Sequence, residues 1–298
     1  MERLIGVDWG TSNLRAFRFD AAGGVVERRD APFGVQATPD GDFEAALERL
    51  AGDWRTGGGA RWLLCGMIGS RQGWREAAYA PCPTDGAALA KALTPLTTRL
   101  GPAWIVPGVS LETAERVDVM RGEETQILGA VEPGWSGVVI APGTHSKWAT
   151  IQAGRISGFR TFMTGELFAL LKTHSILGRM IEVAPSDPDA FALGVLRALD
   201  DPAITSLLFS ARAEALMGRI APPSIESYLS GLLIGTEVRG GLTGCAPGAA
   251  MAVIGAPRIT ALMVQALDIA GRPGARSIDG GEAAARGLWR IGQALAEA

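Results

Sequence analysis

Cysteine is scarce in this sequence. The three cysteines of the 298 residues (Cys65, Cys82 and Cys245) lie far apart and form no Cys-x-x-Cys pair. That spacing excludes a disulfide framework and a structural zinc site, and it fits a reducing, cytoplasmic location. A dominant charge is also missing. Lys and Arg number 28 against 31 Asp and Glu, a net charge of −3. Without a basic patch no nucleic-acid partner is expected. The cluster Glu27-Arg28-Arg29-Asp30 mixes signs and reads as a solvated face. No apolar run reaches the ~18 residues of a bilayer span, and the run Leu4–Val7 is too short for a signal peptide, so no membrane partner is expected. Low-complexity stretches and long linkers are absent as well.

Glycine is plentiful. Forty in 298 residues is nearly twice the usual ~7%. They are not periodic, which excludes a collagen-like chain. Many follow apolar runs, where a backbone must turn tightly or approach something closely.

The chain opens as a β-meander: a buried strand Leu4–Val7, a turn over 8–13, an alternating strand Leu14–Asp20 and a third strand Val25–Arg29. Phe43, Leu47, Leu50 and Trp54 share one helical face behind a capping Asp42. Strands are predicted at Trp62–Cys65 and Trp104–Val106. A helix is predicted through Leu89, Leu93, Leu96 and Leu100 despite Pro95, and another over 122–131. At Glu132-Pro133-Gly134 the opening pattern restarts, with a strand Gly137–Ala141, a small-residue turn, and a strand Lys147–Gln152. This echo predicts an internal duplication, with domains at 1–132 and 133–298. The second half is mainly helical, with helices predicted over 165–178, 187–200, 203–218, 224–241, 257–271 and 281–296, and a strand over 250–254.

Both turns are rich in small residues. Gly10, Thr11, Ser12 and Asn13 offer backbone N–H groups of the kind that cradle phosphate. Asp8, just before them, is a candidate Mg²⁺ ligand acting through water. Gly143, Thr144, His145 and Lys147 offer a second set of donors and a cation. An ordinary hairpin with a capping aspartate accounts for the first turn equally well, and a surface lysine or structural histidine for parts of the second. Between the turns, Glu123 and Glu124 follow Arg121-Gly122 at the start of a helix. A carboxylate there suits a general base, although acids also favour a helix's first turn for its dipole. Adjacent helical residues point ~100° apart, so one of the two faces a substrate. Gly69, Ser70, Arg71 and Trp74 form a loop after a strand, and Arg160 and Glu166 flank another strand-to-helix junction. Arg71, Arg121 and Arg160 are the candidate forks for an acidic substrate. Gly255, between a strand and a helix, would let a nucleotide lie against backbone.

The segments Asp8–Arg15, Gly66–Trp74, Val119–Gln126, Pro142–Trp148, Arg160–Leu167 and Leu229–Val238 together resemble the 2-dehydro-3-deoxygalactonokinase family of the actin, sugar kinase and Hsp70 superfamily. The likeness spans nearly the whole chain. Arg-Gly-Glu-Glu-Thr-Gln with Pro-Gly-Thr-His-Ser-Lys-Trp is its specific part. The resemblance implies an α/β protein of two ribonuclease-H-like (actin-like ATPase) domains flanking a central cleft and closing on substrate. It implies transfer of the ATP γ-phosphoryl, with Mg²⁺, to the 6-hydroxyl of 2-dehydro-3-deoxy-D-galactonate in galactonate catabolism. The partners would be ATP and a small sugar acid, the protein a monomer or small homo-oligomer. The second turn lacks the aspartate of many sugar kinases, which moves the base role to Glu123 or Glu124. The alternatives are a kinase for another sugar or sugar acid, and a non-metabolic actin-like ATP-binding switch.

Overall fold

The computed structural model describes residues 3–55 and 59–296. The chain forms two compact units. The first contains residues 1–136, 149–159 and 279–298, and the second contains residues 137–148 and 160–278.

In the first unit the chain runs through β1 (Arg3–Trp9), β2 (Leu14–Phe19), β3 (Val25–Ala31), α1 (Phe43–Ala51), β4 (Ala60–Cys65), β5 (Tyr79–Pro81), α2 (Gly86–Lys91), β6 (Thr94–Leu96), β7 (Ala103–Ile105), β8 (Gly108–Glu112), β9 (Val117–Met120) and α3 (Glu123–Ala130). The main sheet has the order β3-β2-β1-β4-β7-β6, and β5-β8-β9 form a small second sheet. The opening meander is as predicted, with β1 antiparallel to β2 and parallel to β4. Alternation decides this, because Ile5, Val7, Trp9, Leu14 and Ala16 turn one face into a core completed by Leu47, Trp54, Trp62 and Leu64. Asp42 caps α1 by accepting from the Ala45 N–H at 2.9 Å.

The helix predicted over Leu89–Leu100 is corrected. Helix α2 stops at Lys91, and Thr94–Leu96 is a strand paired with Ala103–Ile105. Proline removes a helical donor and pushes the residue before it, Thr94, towards extended backbone. The leucine spacing is outvoted.

Past Ser136 the chain continues with β10 (Gly137–Ala141), β11 (Ser146–Gln152), β12 (Arg155–Phe162), α4 (Thr164–His174), α5 (Pro188–Asp200), α6 (Ile204–Leu216), α7 (Ile225–Leu242), β13 (Met251–Gly255), α8 (Pro257–Ile269) and β14 (Arg276–Asp279); of these, the end of β11 and the start of β12, within residues 149–159, count with the first unit. Helix α9 (Gly280–Ala296) returns to the first unit. The second sheet has the order β12-β11-β10-β13-β14, with β10 parallel to β13. Numbered within each sheet in chain order, the first reads 3-2-1-4-6-5 and the second 3-2-1-4-5, so the echo between the two hairpins extends to a shared four-strand order, 3-2-1-4.

Many glycines do a task that their place in the sequence conceals. A Cβ on Gly129 of α3 would lie 1.9 Å from the Ala283 carbonyl oxygen of α9, and one on Gly287 of α9 would lie 1.9 Å from the Thr125 oxygen of α3. In the second unit a Cβ on Gly231 of α7 would lie 2.1 Å from the Phe191 oxygen of α5, and one on Gly194 would lie 2.4 Å from the Tyr228 oxygen. Two helix pairs thus pack backbone against backbone.

Candidate active site

In the first unit, Asp8 is the last residue but one of β1, opposite Arg15 of β2 and beside Cys65 of β4. Its carboxylate is buried and accepts from Arg15 Nη1 at 3.3 Å. Burial raises its pKa, against the pull of Arg15 and of a hydrogen bond from Gln126, and the nearby charge of Glu123 adds to the rise. The turn after it is closed by the Gly10 N–H donating to the Asn13 carbonyl at 2.9 Å, and Thr11, Ser12 and Asn13 are exposed.

Three further glycines shape the surroundings of this turn. A Cβ on Gly34 would sit 1.8 Å from the Thr11 carbonyl oxygen. Gly66 has φ +94° and would press a Cβ to 2.7 Å from the Trp9 oxygen. Gly122, at φ +106°, would place one 3.1 Å from the Gly66 Cα. The ends of β1 and β4 and the start of α3 therefore meet at a point where only glycine fits.

The two glutamates at that helix start are unlike. Glu124 is wholly buried; it accepts from the Gly122 N–H at 2.6 Å and the Thr125 hydroxyl at 3.0 Å. Burial, with Glu123 beside it, pushes its pKa up to about 7. Glu123 is partly exposed, and its Oε2 accepts from the Arg121 N–H at 3.1 Å.

The raised value has a consequence for stability. The folded state holds the Glu124 proton more tightly than the unfolded chain. The group's contribution is fully present below its ordinary 4.5 and is lost as pH rises to about 7. A shift of this size corresponds to roughly 3 kcal/mol. Urea unfolding of wild type and Glu124→Gln from pH 4.5 to 7.5 should show a wild-type loss across that window that the variant lacks.

Of the loop residues, Gly69 packs against Ile105 and Arg121, and Trp74 stacks on Phe43 with ring centroids 6.4 Å apart, at the margin of the core. The Ser70 hydroxyl is buried without a partner. Arg71 is exposed and paired with Glu76 at 3.0 Å.

In the second unit the turn between β10 and β11 exposes Gly143, Thr144 and His145. The Gly143 N–H donates to Ser146 Oγ at 3.2 Å. Lys147 is buried, and its Nζ donates to the His145 carbonyl at 2.9 Å, so this amine braces the turn from within. His145 Nε2 meets Glu166 Oε2 at 2.5 Å. The Glu166 N–H donates to the Thr144 carbonyl at 3.0 Å, and a Cβ on Gly165 would lie 2.3 Å from the Gly143 oxygen. The start of α4 is therefore seated on the turn. Arg160 is exposed, its Nη1 3.1 Å from the Gly240 carbonyl.

A cavity of about 440 Å³ opens beside this turn, its lining including Gly143, Ser146, Thr164, Phe168, Ala256 and Met263. Gly255 ends β13 at the junction leading to Ala256. Sequence reasoning missed Glu237, which lines the same cavity. It is 1% exposed, and its Oε1 accepts from Trp148 Nε1 at 2.9 Å. Burial raises its pKa against hydrogen bonds from Thr164, Trp148 and Ser146. The signal in sequence was an acid following the apolar run Leu232–Ile234, inside the segment Leu229–Val238 that shares in the family resemblance.

Two sheets that share the strand order 3-2-1-4, each opening in a small-residue turn with a buried acid close by, define an actin-like ATPase fold of the sugar-kinase class. The model of the 2-keto-3-deoxy-galactonokinase family matches residues 8–291. The 2-dehydro-3-deoxygalactonokinase of Escherichia coli (strain K12) is 37% identical over 236 residues, 79% of each chain. A Rhizobium meliloti (strain 1021) protein named as a probable 2-dehydro-3-deoxygalactonokinase is 35% identical over 299 residues, 97% of this chain and 96% of its own. A crystal structure from Sinorhizobium meliloti, of a protein given that name provisionally, superposes with a TM-score of 0.91 at 34% identity, over 98% of this chain and 99% of its own. The chain belongs to the 2-keto-3-deoxy-galactonokinase family. It is an ATP-dependent phosphotransferase acting on a sugar acid. Among the described residues no helix is long and apolar enough to cross a membrane.

Proposed function

We propose that the chain transfers the γ-phosphoryl group of ATP to the 6-hydroxyl of 2-dehydro-3-deoxy-D-galactonate, with Glu123 as the base. The carrying observation is the difference between the two acids of α3. Glu124 is fully enclosed and already accepts two hydrogen bonds from its own turn. Glu123 is partly exposed and lies near enough to Asp8 to raise that residue's pKa. Accessibility to the substrate comes before pKa in choosing a base. In the reaction a bond forms between the 6-oxygen and the γ-phosphorus, the bond to the β,γ-bridging oxygen breaks, and the hydroxyl proton passes to Glu123. Phosphoryl transfer asks for little more than this and positioning.

In the first unit phosphate contacts fall to the N–H groups of Thr11–Asn13, that of Gly10 being used within the turn, and in the second unit to those of Thr144 and His145, with His145 held by Glu166. The cavity beside the second turn, with Phe168 and Met263 in its lining, suits the nucleoside. Among the described residues no group of three or more His, Cys, Asp or Glu side chains could hold a metal. A lone buried carboxylate, Asp8, instead fits a cation that arrives with the nucleotide and keeps most of its own water. Mg²⁺ bound there would neutralise charge on the phosphates. We place the duplication boundary near residue 132 and the protein in the cytoplasm.

Coupled ADP release, with ATP and Mg²⁺, on 2-dehydro-3-deoxy-D-galactonate, its gluconate epimer, galactose and glucose tests the proposal. The galactonate acid should give by far the highest kcat/KM. ATP binding without turnover on any of the four would overturn it.

A further inference from the structure

An acidic substrate needs a cation, and three arginines are candidates on sequence. Their surroundings separate them. Arg71 has a side chain 83% exposed and already holds Glu76. Arg160 is exposed, spends Nη1 on the Gly240 carbonyl and lies 5.0 Å over the Phe162 ring. Both are satisfied as they stand.

Arg121 is different in kind. Its guanidinium lies 4.3 Å over the Tyr79 ring, and Nη2 donates to the Ala77 carbonyl at 2.7 Å. Nε and Nη1 are shut away from solvent with no acceptor, and no Asp or Glu is paired with the side chain among the described residues. The Ser70 hydroxyl, next in the chain to Gly69, is also buried without a partner. Gly69 leaves room for the guanidinium: a Cβ there would lie 2.9 Å from Nη1.

A guanidinium only donates and does not lose its charge at ordinary pH. A buried cation lacking a counter-ion is expensive to keep. Here are three donor atoms on two side chains and nothing for them to donate to. The absent partner is an anionic acceptor.

We propose that Arg121, assisted by the Ser70 hydroxyl, receives the carboxylate of the sugar acid and is the residue that selects acids over neutral sugars. This rests on the sugar-acid reading given above. A neutral sugar would leave the guanidinium unpaired, and sites built around a polar group discriminate strongly against ligands that lack its partner.

The test compares wild type, Arg121→Met, Arg121→Lys and Ser70→Ala. For each, KM is measured for 2-dehydro-3-deoxy-D-galactonate, for its C1 amide and for ATP. Calorimetric titration of the acid reads binding without turnover. Arg121→Met should raise KM and Kd for the acid on the order of 10²- to 10³-fold, as expected for truncating one partner of a buried charge pair. The amide should lose far less, and KM for ATP should barely move. Arg121→Lys should restore part of the loss, and Ser70→Ala should weaken the acid by about 10-fold. Unchanged acid affinity in a folded Arg121→Met, or equal losses for acid and amide, overturns the assignment. Should that variant fail to fold, unchanged acid affinity in both Arg121→Lys and Ser70→Ala overturns it. Acid binding that depends on Arg121 in a wild type that fails to phosphorylate the acid supports the assignment and removes only the reading beneath it.

Discussion

Glu123→Gln is expected to lower kcat by roughly 10²- to 10⁴-fold, the range that a positioned general base contributes. KM for ATP should stay close to wild type. Glutamine keeps the shape and the oxygen that accepts the Arg121 N–H at 3.1 Å, so the helix start survives and the loss reads as chemistry. What it lacks is the ability to accept a proton at neutral pH. The control is Glu124→Gln. That carboxyl faces its own turn, with no exposed surface, so its replacement should alter stability and its pH dependence far more than kcat. Steady-state kinetics on both variants, with thermal melts to confirm folding, decides between them. Near-normal kcat in Glu123→Gln together with a collapse in Glu124→Gln would transfer the base role to the buried residue.

The second large effect lies away from any proton. Gly287→Val should destabilise the protein by about 3 kcal/mol, the upper part of the usual overpacking range. A Cβ at this position would fall 1.9 Å from the Thr125 carbonyl oxygen. Backbone cannot swing aside as a side chain does, so α3 and α9 must separate. For a unit of this size the melting temperature should fall on the order of 6–12 °C. Activity should fall as well, because α3 begins with Glu123 and Glu124. A variant that melts with wild type would show that the helices slide apart cheaply.

These contacts show where the sequence is legible and where it is not. The apolar run Leu4–Val7 and the alternation over Leu14–Asp20 identify the meander, since both are strand patterns separated by a turn of small residues. The small-residue turns at 10–13 and 143–146 stand out because each follows an apolar strand. Even the likeness of the two sheets is foreshadowed in the repeated hairpin. Pro95, by contrast, breaks a leucine pattern that periodicity favours, and short strands such as Tyr79–Pro81 carry too few residues to show a period. The glycines are the deeper difficulty. Gly34 and Gly165 matter because of backbone 23 and 22 positions distant, at Thr11 and Gly143, and nothing local marks them. Glu237 is equally silent: its meaning comes from Trp148 and the cavity, on other elements. Arg71, Arg121 and Arg160 look alike in the sequence, and only their neighbours distinguish them.

Helix α9 makes one more point. It closes the first unit, with Leu288 within 3.0 Å of the place a Gly6 Cβ would occupy, Trp289 beside Phe19 at 5.5 Å, and Arg290 bonded to the Leu128 carbonyl at 2.6 Å. A ribosome that has released residues 1–136 has therefore not yet released the segment that finishes their core. Vectorial folding, in which an amino-terminal domain settles during synthesis, is closed to this unit. The nascent meander must wait through the making of some 140 further residues, 137–279, with the apolar surface that α9 will cover still open to the cell.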